Sequence, residues 1–341
     1  MKTLVNMRGR SLLDLRDMSE AEIRFLLELT AALKRRKKAG VKGCLLERRA
    51  IALVFEKLST RTRCAAAVAV ADEGGWTEYL SSHDIHLGKK ESPADTARVL
   101  GRMFDGILFR GYEQRTVELL ARYSGIPVWN GLTDQTHPTQ ALADLFTIQE
   151  TYGRLAGLKV VYVGDGRNNV AHALMFGCAK VGIHFVNCTP PELAPAPAVV
   201  AEAEALARRN GGSLSIAADP ERAVEGANVI YTDVWVSMGE EAQQVERLRL
   251  LRPYQVNMNL MRRTGNLERQ EVIFLHCLPA FHDHNTALTK DLGALEVTND
   301  VFEAPFSRVF DEAENRLHTL KAIFVASLCS PEDLESVTHA S

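Results

Sequence analysis

From Phe55 to Arg63 the chain reads Phe-Glu-Lys-Leu-Ser-Thr-Arg-Thr-Arg, so three hydroxyls and two guanidinium groups sit between an apolar stretch and an Ala-rich one. Such donors at a helix start, where unpaired backbone N–H groups and the helix dipole add positive potential, make an anion site fit for phosphate or a phosphorylated small molecule. A Ser/Thr N-cap followed by two exposed arginines reads the same way, so these residues alone leave both readings open. Elsewhere, His137-Pro138-Thr139-Gln140 sets an imidazole and an amide beside a second helix start, with Pro138 in the first turn. Arg110 closes the apolar segment 106–110, Asp233 closes 229–233, and His276-Cys277-Leu278-Pro279 follows 272–275.

Two further patterns invite chemistry and lose it on inspection. Gly164-x-Gly166 after a strand suggests dinucleotide binding, but the third position of G-x-G-x-x-G is Asn169, which offers a side-chain donor and acceptor instead of close helix packing. His276, His282 and His284 fit no standard metal spacing, and no metal is expected. Cys277 beside His276 is not a nucleophile–base pair by adjacency, since neighbours on a strand face opposite ways. On its own it reads as a buried, inert thiol.

Bulk properties narrow the class. A chain of 341 residues exceeds the usual single core and points to two domains. Its 46% hydrophobic and 24% charged residues describe a globular protein. The net charge of −3 argues against nucleic acid as a partner, and anion binding must come from local arginines. Six scattered cysteines without a C-x-x-C pair suggest neither zinc knuckle nor disulfide framework, and a reducing cytoplasm is the expected location. Met1 to Arg10 lacks an apolar signal core, and no run reaches the ~18 apolar residues of a membrane span.

The elements that must position these residues alternate. Ser19 to Glu22 is a capping box for a helix ending in Lys34 to Lys38, a basic end that suits the dipole. A strand 49–55, a helix 64–72, Trp76 to Leu80, a polar loop 81–91, a helix from Ser92-Pro93 to Met103, a strand 106–110, a helix 114–123 and a strand 127–130 follow. A long helix from 141 to 151 is expected to cross to the second domain, where strands 158–163, 182–187, 213–217, 229–233 and 272–275 alternate with helices. A final helix, 311–329, is long enough to return. The fold class is therefore α/β, two doubly wound domains, each with a mainly parallel sheet flanked by helices, joined by crossing helices. The expected boundaries are 1–148 plus 319–341 for the first domain and 149–318 for the second. Ligands in such sheets lie at the carboxyl ends of strands, where Arg61, Arg110 and the residues after Asn130 all fall.

Taken together the motifs resemble the carbamoyltransferases, and within them the bacterial-type ornithine branch, over nearly the whole chain. Ser59-Thr60-Arg61-Thr62-Arg63 resembles the carbamoyl-phosphate motif, and His137-Pro138-Thr139-Gln140 is a second shared signature. Asp233-Val234-Trp235-Val236-Ser237-Met238-Gly239, His276 to Pro279 and Glu314-Asn315-Arg316 resemble the ornithine-specific motifs. The resemblance implies transfer of the carbamoyl group of carbamoyl phosphate to the δ-amine of L-ornithine, giving citrulline and phosphate without a cofactor. It implies that Ser59, Thr60, Arg61, Thr62 and Arg110 hold phosphate. His137, Gln140, Arg316, Thr62 and the carbonyl of Leu278 would surround the carbamoyl group, and Asn169, Asp233, Ser237 and Met238 would hold ornithine. Cys277, also counted among the carbamoyl-phosphate contacts, would stand with Asp233 near the δ-nitrogen, so its inert reading recedes. The resemblance further implies a homotrimer, or an assembly of trimers, in which the 81–91 loop completes a neighbour's site. There His86 replaces the usual Gln, and Ala66 replaces the Phe common behind the phosphate motif. Those departures keep a non-catalytic ligand-binding paralogue in view. A carbamoyltransferase for another amine such as putrescine is the other alternative, against which Asp233 and Ser237-Met238-Gly239 speak because a diamine has no α-carboxylate to bind.

Overall fold

A computed structural model describes residues 5–88, 90–236 and 243–339. The chain forms two compact units, Met1–Phe146 with Glu314–Ser341 and Thr147–Ala313, against expected changes at 148/149 and 318/319.

In the first unit, Ser19 starts α1 (Glu20–Lys38) with a full capping box: its hydroxyl accepts the Glu22 N–H at 3.2 Å and the Glu22 carboxylate accepts the Ser19 N–H at 2.7 Å. The strand β1 (Ala50–Phe55) is buried at every position, as a central strand covered on both faces must be. Then follow α2 (Thr60–Asp72), β2 (Trp76–Ser81), α3 (Pro93–Leu100), β3 (Gly106–Arg110), α4 (Gln114–Ser124), β4 (Val128–Leu132) and α5 (Pro138–Tyr152). All pairs are parallel, in the order β2-β1-β3-β4. The chain steps from β1 to β2 on one side and later to β3 on the other, so a switch point opens between β1 and β3. Phe55 is in register with Arg110 and Arg110 with Leu132, which brings the start of α2 and the end of β3 to one edge of the sheet.

The second unit repeats the plan. Its elements are β5 (Lys159–Val163), α6 (Asn169–Val181), β6 (His184–Cys188), α7 (Pro197–Arg209), β7 (Ser213–Ala217), α8 (Pro220–Ala223), β8 (Val229–Thr232), α9 (Gln244–Leu251), α10 (Met258–Arg263), β9 (Ile273–His276), α11 (Thr289–Leu292) and α12 (Asn299–Phe302). The parallel order β7-β6-β5-β8-β9 puts the switch point between β5 and β8, just where Gly164 to Asn169 and Asp233 leave the sheet. Val161, Ile230 and Phe274 pack with Leu260, Met261, Val301 and Phe302 in its core. Finally α13 (Val309–Leu328) carries the chain back to the first unit and α14 (Pro331–His339) follows.

Several boundaries differ from those read in the sequence. The helix α2 begins at Thr60 rather than Cys64, because Ser59 caps it and draws Arg61 to Arg63 into its first turn. The helix α3 stops at Leu100, short of Met103, and α14 was not foreseen. Gly166 is explained by close approach: a Cβ there would lie 2.8 Å from the Thr189 methyl and 2.9 Å from Asn187 Oδ1. The glycine thus lets the turn pack on the end of β6, a reason unconnected with a dinucleotide.

Candidate active site

In the first unit, the motif after β1 is organised by Ser59, whose hydroxyl accepts the Thr62 N–H at 3.1 Å. That bond turns the chain into α2 and fixes Thr62, which is 1% exposed, while Ser59 and Arg61 are half-buried and Thr60 is exposed. The Thr62 hydroxyl accepts from Arg316 Nη2 at 3.1 Å and from Arg110 Nη1 at 3.5 Å. Two buried guanidinium groups, one from the end of β3 and one from α13, therefore meet at the first turn of α2. Arg316 also donates through Nη1 to Gln140 Oε1 and through Nη2 to Thr139 Oγ1 at 3.4 Å. The Gln140 amide is oriented in turn, since its Nε2 donates to Asp144 Oδ1 at 2.8 Å.

His137 lies buried beside these groups, with Nδ1 3.5 Å from Thr139 Oγ1. That same hydroxyl accepts from Arg316 Nη2, which links the imidazole to the guanidinium through one oxygen. Burial, and then the charges of Arg316, Arg110 and Arg61, hold the His137 pKa well below its usual value. The imidazole is therefore neutral near pH 7, a hydrogen-bond donor and not a cation. With three guanidinium groups and one carboxylate, Asp144, this cluster favours a multiply charged anion. Lys57, buried, pairs with Asp134 and lies 4.4 Å from the centroid of the Tyr112 ring, tying the Ser59 loop to the one before His137.

In the second unit, Asp233 is 6% exposed, and both its oxygens are engaged. Its Oδ1 accepts from the Val234 N–H at 2.8 Å and from Cys277 Sγ at 3.1 Å, and its Oδ2 from Asn168 Nδ2 at 3.0 Å. Cys277, the first residue after β9, thus joins Asp233. His276 is fully buried; its Nδ1 accepts the Leu278 N–H at 2.9 Å and its Nε2 faces Glu296 Oε1 at 3.2 Å. Leu278 itself adopts φ 59°, a left-handed conformation that this imidazole bond sustains. Asp233, His276 and Cys277 have ligand atoms within 4.8 Å of one another, but both nitrogens of His276 are already committed to Leu278 and Glu296. His282 bonds Asn299 and stacks on Phe302, and His284 faces the Lys290 carbonyl, so the three histidines diverge.

Asn169 is half-buried at the first position of α6, whereas Asn168 caps that helix by accepting the Val170 N–H at 2.7 Å. Arg247 is buried, pairs with Asp165, and donates through Nε to the Trp235 carbonyl at 2.7 Å. Ser237 and Met238 lie outside the described residues. His86 is exposed in its loop, and no hydrogen bond joins its side chain to the Thr62 cluster among the described residues. Ala66 is fully buried in α2. Sequence reasoning missed Asp144, Asn168, Arg247 and Glu296, and quoted Thr139 within its motif without giving it a role. Only the four-residue spacing of Gln140 and Asp144 on one helix offered a signal.

Residues 10–150 match the carbamoyl-P binding domain of aspartate/ornithine carbamoyltransferase, and residues 156–327 match the Asp/Orn binding domain. The chain is 54% identical over 334 residues to a catabolic ornithine carbamoyltransferase of Bacillus licheniformis, covering 96% of this chain and 99% of that one. It is 53% identical over 327 residues to the catabolic enzyme of Streptococcus ratti, covering 94% and 96%. The solved ornithine carbamoyltransferase of Pyrococcus furiosus is similar with a TM-score of 0.88 at 45% identity, covering 95% of this chain and 98% of that one. Matches of that identity and length show that the chain belongs to the aspartate/ornithine carbamoyltransferase family.

Proposed function

We propose that the chain transfers the carbamoyl group of carbamoyl phosphate to the δ-amine of L-ornithine, giving L-citrulline and phosphate. The observation that carries this reading is the gathering of Arg61, Arg110 and Arg316 around a neutral His137. Cationic donors suit the phosphate, whose charge grows as it leaves, and a neutral N–H donor suits the carbonyl oxygen of the carbamoyl group. Ser59, Thr60, Arg61, Thr62 and Arg110 hold the phosphate. His137, Gln140 and Arg316 polarise the carbonyl. The neutral δ-nitrogen forms its bond to the carbonyl carbon, the bond from carbon to the bridging phosphate oxygen breaks with its electrons going to that oxygen, and the surplus nitrogen proton passes to the departing phosphate. Catalysis of this kind rests on positioning and charge stabilisation.

Asn169, Asp233, Ser237 and Met238 bind ornithine, and Cys277 with Asp233 steers the δ-nitrogen. A carboxylate already fixed by Asn168, Val234 and Cys277 costs little to organise when the amine arrives. Purified protein given carbamoyl phosphate and L-ornithine should form citrulline, with putrescine a far poorer acceptor. No product above background, or equal rates with putrescine, would reject the reading. The working form is a homotrimer in the cytoplasm, His86 of one chain serving its neighbour's phosphate; light scattering on the purified protein should give the mass of three chains or a multiple. No helix among the described residues is long and apolar enough to cross a membrane.

A further inference from the structure

Away from the reacting groups, α13 carries a row of buried polar residues at three-residue spacing. Asn315 is fully buried, and His318 and Lys321 are each 1% exposed. Each has a partner on another part of the first unit or on its own helix. Lys34, itself 7% exposed on α1, donates from Nζ to Asn315 Oδ1 at 2.7 Å and lies 5.6 Å from the centroid of the Phe146 ring. His318 Nε2 faces Glu314 at 3.1 Å, and Lys321 Nζ donates to Asp72 at the end of α2 at 2.8 Å. A buried lysine placed to meet an amide is unusual, since apolar packing alone would hold two helices together.

The neighbour of Asn315 is Arg316, whose two Nη atoms reach Gln140, Thr62 and Thr139. Adjacent residues on a helix are turned by about 100°, so a bond that fixes the direction of one fixes the other. Apolar contacts are non-directional and tolerate small rotations, whereas a hydrogen bond does not. A rotation of about 20° would move a side chain near the helix surface by about 2 Å. Displacements of about 1 Å at a reacting group cost about 100-fold in rate.

We propose that Lys34 is a positioning residue for carbamoyl transfer: bonded to Asn315, it sets the rotation of α13 and thereby the aim of Arg316. The proposal rests on the role given to Arg316 above. Lys34 is not among the residues assigned to substrate, and its effect passes through one side-chain amide and the single peptide link between Asn315 and Arg316.

Lys34→Met keeps most of the volume and removes the donor. It should lower kcat/KM for carbamoyl phosphate about 100-fold while leaving KM for L-ornithine within threefold. Lys321→Met, which breaks the other buried tie on the same helix, should lower the thermal midpoint and leave kcat/KM for carbamoyl phosphate within threefold. Asn315→Asp, which keeps an acceptor for Lys34, should retain near wild-type kinetics, and Asn315→Leu should reproduce the loss if Lys34→Met does not fold. Wild-type kinetics in a folded Lys34→Met or Asn315→Leu protein, or equal losses in Lys321→Met, would overturn the proposal. Arg316→Ala run beside them separates the two readings: if it stays active, the role of Arg316 falls and this proposal with it, and if it is inactive while Lys34→Met is not, only the tether is wrong.

Discussion

His137 shows how much a single environment decides. Buried among Arg316, Arg110 and Arg61, it is kept neutral well below its ordinary titration range, so kcat at saturating substrates should show no imidazole inflection between pH 6 and 8. An inflection near 6.5 that vanishes in His137→Gln would mean that the imidazole titrates after all. Replacing it by Leu should lower kcat about 100- to 1000-fold, the usual cost of losing a donor to a developing oxyanion. Asp144 is less conspicuous and matters through Gln140. It takes the amide Nε2, which leaves Oε1 for Arg316. Asp144→Leu removes that preference, and a loss of about 1–3 kcal/mol of transition-state stabilisation is expected, read as a fall in kcat/KM for carbamoyl phosphate. Unchanged kinetics would show that the amide is oriented by other means.

At the scale of elements, the start of α2 does two jobs with one residue. Ser59 caps the helix and, in the function proposed above, also holds phosphate, so Ser59→Ala should cost about 1 kcal/mol of stability and weaken phosphate binding together. Denaturant unfolding and inhibition by inorganic phosphate measure the two; a stability loss without a binding loss would limit Ser59 to capping. Much of this was legible in the sequence. The strand end at Arg110 and the helix start at Pro138 follow from local pattern, and Asp233 falls just past the end of β8 at Thr232 instead of closing it; parallel topology sends all three to sheet edges. The bond from Arg316 to Thr62 was not legible by local means, because it joins residues 254 apart in sequence and exists only once α13 is packed. Lys34 and Asp144 were hidden for another reason: each occupies a core position that an amphipathic pattern assigns to apolar side chains. The short helices α10, α11 and α12 span too few residues to show a period.

At the scale of the whole molecule, buried histidines make stability depend on pH. His318 is pushed down to about 4, chiefly by burial, and His137 lies well below its usual value as well. In the unfolded chain both titrate near 6.5, so below that pH the unfolded state takes up protons that the folded state refuses. Stability should therefore be level above about pH 6.5 and fall as the pH drops from there toward 4, with a smaller decline in His318→Leu; urea midpoints at pH 7.5, 6 and 5 test this. A decline that begins only below pH 4.5 would assign acid sensitivity to carboxylates instead. The division of the chain has a temporal side. The first unit is encoded in two pieces, with all of Thr147–Ala313 between them. On a ribosome adding about 5–20 residues per second, Arg316 emerges roughly 10 to 30 s after Phe146. Ser327, which accepts the Trp129 Nε1–H at 3.1 Å beneath β4, comes later still. The nascent chain therefore holds all of Thr147–Ala313 before Arg316 can reach Thr62, Thr139 and Gln140 in the first unit.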